Sequence, residues 1–131
     1  MSDGPASQVQ VLLIKAAEDE KVLDAPGVSD SILGFHAQQA AEKLMKALLS
    51  RLNVPYERIH DLGRLNALLA LAGEILPPTP LALSELNDCA VVYRYDLMLQ
   101  ASGPDRAEVM ATVRILREHI TGRISAISGT P

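Results

Sequence analysis

Apolar residues return every three or four positions in five stretches of this chain, and breaks rich in Pro or Gly separate those stretches. That period lines one side of an α-helix. The first stretch, about 6–24, puts Val9, Leu12, Leu13, Ala16, Ala17 and Leu23 on one stripe and turns Glu18, Asp19 and Lys21 to water. "DAPG" ends it. A second helix is expected over about 30–52, capped by Ser29 or Asp30, with Leu33, Ala37, Ala40, Ala41, Leu44, Leu48 and Leu52 inward. Pro55 biases Val54 away from helix, so "NVPYERIH" reads as a connection. A third helix, about 61–76, presents Leu62, Leu65, Leu68, Leu69, Ala72 and Leu76 until "PPTP" breaks it. A fourth, about 82–100, turns Leu83, Leu86, Ala90, Tyr93 and Leu97 inward. After the turn "SGPD", with Asp105 as a cap, a fifth runs over about 105–127 with Val109, Val113, Leu116, Ile120 and Ile127.

No stretch alternates with the period of two that a half-buried strand requires. The predicted fold is all-α, an up-and-down bundle of four or five helices with short connections. The length of 131 residues predicts one domain. Its ends, 1–6 and 128–131, are expected to fray.

Composition narrows the core chemistry. Hydrophobic residues make up 48% of the chain, but aromatics only 3% and Trp is absent. The core is therefore expected to be Leu, Ile, Val and Ala, which suit helix-on-helix packing. A net charge of −4 argues against a globally basic nucleic-acid binder while leaving room for a local basic patch. Cys89 stands alone, so it can form neither an internal disulfide nor a thiolate metal cluster. "MSDGPASQVQ" lacks a basic region followed by an apolar one, and no apolar run approaches the ~18 residues of a membrane span. A cytoplasmic protein with no membrane association is expected. His36, His60, His119 and Cys89 show no ligand spacing, and neither Gly-rich phosphate loop nor nucleophile elbow occurs. No metal and no cofactor are expected.

Three clusters carry candidate chemistry. In "GFHAQQAAEKLMKALL", His36, Gln39, Lys43 and Lys46 recur along one side of the second helix, with Glu42 and Lys46 as an i,i+4 pair. This is either a solvated polar face or a surface where two Lys and a His meet phosphate or an acidic partner. Gly34 either permits close helix approach or is tolerated in the first turn. "YERIHDL" sets His60 beside Asp61, which reads first as a helix cap and second as a His–Asp pair. "VVYRYDL" places Arg94 between Tyr93 and Tyr95. Arg94 is either tethered to Asp96, Asp88 or Glu42, fixing register or a dimer contact, or it contacts phosphate while Tyr93 or Tyr95 stacks on a base.

Taken in order, "SILGFHAQQAAEKLMKALL", "PYERIHDLGRLNALL" and "AVVYRYD" followed by a last helix resemble the HEPN domain (higher eukaryotes and prokaryotes nucleotide-binding). The resemblance spans nearly the whole chain. It implies a helical bundle that commonly forms homodimers and is often encoded beside a minimal nucleotidyltransferase, the two making a toxin–antitoxin-like pair. Some members are metal-independent RNases with an Arg-x4-6-His motif near the dimer cleft, and others bind nucleotides, RNA or protein partners without catalysis. From Arg94, the His slot holds Leu99, Gln100 or Ala101. Arg114 and His119 match the spacing one helix later, with Thr121 where a Tyr often stands. The lead expectation is a non-catalytic, dimeric binding module for nucleotide, RNA or a nucleotidyltransferase partner, through His36, Gln39, Lys43, His60, Arg94 and Tyr95. Two alternatives stand beside it. One is an endoribonuclease with His119 as general acid/base and Arg114 on the phosphorane charge. The other is a purely structural dimerisation unit.

Overall fold

The computed structural model describes residues 5–90 and 105–128. Among them, α1 spans Pro5–Leu23, α2 Asp30–Arg51 and α3 Leu62–Leu71. Residues 83–90 form α4 as far as it is described, and α5 spans Arg106–Ser128. The described residues contain no strand, and the fold is an all-α bundle.

Local chemistry sets the ends of these helices. Pro5 opens α1, where its missing N–H would have had no partner in any case. Ser29 caps α2, its hydroxyl accepting from Ile32 N at 3.3 Å. Asp105 accepts from Ala107 N at 3.0 Å at the start of α5. α2 ends in a left-handed turn at Asn53, φ 60°, with Val54 N bonded to Leu49 O and Asn53 N to Ser50 O. The same motif closes α3 at Gly73, φ 88°, through Glu74 N to Leu69 O and Gly73 N to Ala70 O. It stops α3 at Leu71, well before the expected end at "PPTP". Ala72 is consequently exposed, and Leu76 reaches the core from the connection.

Side-chain pairs fix the directions. Gln8 meets Tyr56 beyond the end of α2, and Asp19 meets His36 near its start, so α1 and α2 are antiparallel. Arg106 donates to Val28 O and Asp30, while Arg117 reaches Glu20 and Leu13 O. α5 therefore runs with α2 and against α1. The described part of α4 is tied to two neighbours, since Leu81 N just before it bonds Thr112 of α5 and its Cys89 abuts Gly34 of α2.

α2 packs against α1, α3 and α5 and forms the centre. Its expected stripe is buried except Leu52, which is half-buried, and Met45, Ala47 and Leu49 on other sides are buried too. Val9, Ala16 and Leu23 of α1, Leu62, Leu65 and Leu69 of α3, Leu86 of α4, and Val109, Val113, Leu116 and Ile120 of α5 complete the core. Asp19, expected to face water, is only 8% exposed.

Candidate functional site

The polar residues of α2 gather around two buried carboxylates. Asp19 on α1 is the first. Its Oδ1 lies 2.8 Å from His36 Nδ1, and its Oδ2 accepts from Lys43 Nζ. Glu42, 7% exposed, is the second. Its Oε2 accepts from Lys46 Nζ at 2.9 Å and lies 2.8 Å from His60 Nδ1, and its Oε1 accepts from Gln38 Nε2 at 3.3 Å. Gln39 Nε2 in turn donates to Gln38 Oε1 at 2.8 Å. Lys46 also sits 5.7 Å from the centre of the Tyr56 ring. Buried carboxylates are tolerable when paired and hydrogen-bonded in this way.

A ring nitrogen carries either a proton or a lone pair. His60 Nδ1 cannot both donate to Glu42 and accept from Lys46 Nζ, 3.3 Å away. The shorter contact assigns the Nδ1 proton to the carboxylate bond and leaves Nε2 uncommitted.

Next to this cluster, Asp61 caps α3. Its Oδ1 accepts from Arg64 N at 3.0 Å and its Oδ2 from Asn87 Nδ2 at 3.2 Å. Asn87 Oδ1 accepts from Leu62 N at 2.9 Å, which latches α4 to the start of α3. Between the latch and the Glu42 cluster opens a pocket of about 410 Å³, lined by Gln38, Gln39, Glu42, His60, Asp61, Asn87 and Ala90.

The pocket thus brings together Gln39 and His60 of the residues expected from sequence. His36 and Lys43 belong to the separate Asp19 cluster against α1. Arg94 and Tyr95 lie outside the described residues. The sequence reading missed Asn87 and Gln38 altogether and took Glu42 only as a partner for Lys46 or Arg94. A signal for the last two existed, because Gln38, Glu42 and Lys46 follow one another at i,i+4.

A second pocket, about 250 Å³, lies between α1 and α5. Leu23, Met110 and Val113 floor it, and Glu20, Arg114, Arg117 and Glu118 rim it. Arg117 Nε donates to both Glu20 oxygens at 2.7 Å. Arg114 is exposed there, whereas His119 follows it by five residues, about 140° around a helix of 3.6 residues per turn. His119 Nε2 is buried without a hydrogen-bond partner among the described residues. His119 does not line the pocket that Arg114 rims.

His119 instead neighbours Glu74, which receives Arg123 Nε and Nη2, each at 2.9 Å. The Arg123 hydrogen bonds hold the Glu74 carboxyl below its ordinary 4.5 against the opposing effect of burial, and the charges of Arg123 and His119 add to the lowering.

A sequence model of the HEPN domain matches residues 29–121. The chain belongs to the HEPN domain family. No curated protein and no solved structure matches it. Every residue lining the 410 Å³ pocket falls inside the HEPN match, whereas α1, with Asp19 and Glu20, precedes it. Among the described residues of this HEPN domain, no helix is long and apolar enough to cross a membrane. Nor do any three His, Cys, Asp or Glu group as metal ligands there.

Proposed function

We propose that this HEPN domain is a non-catalytic, cytoplasmic binding module that takes a nucleotide or RNA in the pocket of Gln39 and His60. It works as a homodimer beside a minimal nucleotidyltransferase, in a toxin–antitoxin-like pair. The observation that carries the binding reading is the pocket itself. Its polar groups are held in place by one another before any ligand arrives, which lowers the ordering cost of binding. Its lining also lies within the stretch that matches the family.

The RNase alternative draws on the Arg114-x4-His119 spacing. It needs an imidazole nitrogen within reach of the RNA 2′-hydroxyl and a guanidinium at the same phosphate. The buried Nε2 of His119 and the opposite placement of Arg114 favour binding over cleavage.

The test uses the full chain with RNA oligonucleotides in the presence of a metal chelator. Saturable binding with the RNA left intact is expected. Metal-independent cleavage that disappears in His119→Ala would establish the enzyme instead.

A further inference from the structure

We infer that the pocket reads the base of its ligand and leaves the phosphate outside: it takes a nucleobase bearing an amino group, cytosine, guanine or adenine. This rests on the reading that the pocket binds nucleotides, and it adds which part of the nucleotide enters.

The lining chemistry carries the inference. Two carboxylates, Glu42 and Asp61, three side-chain amides, Gln38, Gln39 and Asn87, and the imidazole of His60 surround the space, and no described Lys or Arg lines it. The ammonium of Lys46 is committed to Glu42. A phosphate pushed among two carboxylates meets like charge in a partly desolvated site. A base edge meets complementary groups. Carboxylates accept from exocyclic amino groups, and side-chain amides pair with adjacent donors and acceptors.

The lining keeps both donors and acceptors free for a ligand. Gln39 has given one Nε2 hydrogen to Gln38 and keeps the other, together with its carbonyl oxygen. Each Asp61 oxygen has accepted once and retains a second lone pair. His60 Nε2 is uncommitted once Nδ1 serves Glu42. The volume of about 410 Å³ lies towards the lower end of the range of small-ligand pockets.

Calorimetric titration of the full chain with cytidine, guanosine, adenosine and uridine, and with their 5′-monophosphates, tests this. At least one amino-bearing nucleoside is expected to bind within about threefold of its monophosphate, with little dependence on salt, because no phosphate contact releases counterions. Uridine, which lacks the amino group, is expected to bind about tenfold more weakly. Asp61→Asn keeps the capping oxygen for Arg64 N but turns a donor in place of an acceptor towards Asn87 and the ligand, and it is expected to weaken that nucleoside about tenfold, with the helical circular dichroism unchanged. Monophosphates that bind while their nucleosides do not would overturn base readout and leave the binding module standing. So would an Asp61→Asn chain of unchanged affinity. If no nucleoside, monophosphate or RNA binds, both readings fall together.

Discussion

At the scale of single residues, the fold depends on carboxylates removed from water and matched there. Asp19, Glu42 and Glu74 are each under 10% exposed, and each faces a cationic side chain from another element or from one turn along. Glu74 makes the consequence measurable. Its folded pKa lies below the ordinary 4.5, chiefly because Arg123 hydrogen-bonds the ionised form. A carboxyl lowered on folding contributes stability that is fully present above its unfolded pKa and is lost as pH falls through the folded value. In urea melts, Glu74→Gln is therefore expected to be less stable than the parent chain near pH 6. That gap should narrow as pH drops below 4.5 and the parent carboxylate takes up its proton. A gap that stays constant from neutral pH to about pH 3 would mean that the Arg123 pair stabilises through packing and not through charge.

At the scale of elements, α2 and α4 come close at Gly34. A Cβ added at Gly34 would stand 3.2 Å from both Cβ and Sγ of Cys89. Burial, then the carboxylates of Asp88 and Glu85, push the Cys89 thiol up, so at neutral pH it packs as a neutral group. Gly34→Leu must therefore push α4 outward. It is expected to destabilise by about 1–3 kcal/mol, the usual effect of overpacking, read as a lower urea midpoint. A gain in midpoint would show that helix propensity, worth about 1 kcal/mol over Gly, outweighs the contact. The option of close approach at Gly34 was legible in the sequence; its partner Cys89 was not. The same division holds elsewhere. Periodicity located α1, α2, α3, α5 and the described part of α4, together with the caps at Asp61 and Asp105, because stripes and caps are local; the rest of the expected fourth helix, with Tyr93 and Leu97, lies outside the described residues. Periodicity ended α3 at the prolines when the left-handed Gly73, three residues before Leu76, ends it sooner. It sent Asp19 to water because one helix's pattern cannot report that His36 and Lys43 of the next will meet it. Of the candidate site, Gln39 and His60 were readable, whereas Asn87 joins through contacts with Asp61 and Leu62, 26 and 25 residues away in the chain.

At the scale of the whole molecule, the proposed dimer needs apolar surface that one chain leaves uncovered. Besides the lone Ile32, the described surface offers two exposed apolar pairs. Val11 and Ile14, 49% and 52% exposed, lie one turn apart on α1. Leu71 and Ile75, 87% and 72% exposed, flank the turn that ends α3. The second pair is the more exposed, so its burial against another copy would gain more. Light scattering at micromolar concentration is expected to give twice the 14.1 kDa of one chain. The double replacement Leu71→Asp with Ile75→Asp is expected to return the single-chain mass while leaving the fold intact, because neither side chain belongs to the core. Salt distinguishes an apolar contact from an ionic one. Each copy carries a net charge of −4, so the copies repel at low ionic strength. Screening that repulsion should tighten an apolar dimer. A dimer that falls apart as salt rises would instead be held by ion pairs, and the Leu71–Ile75 face would not be its seam.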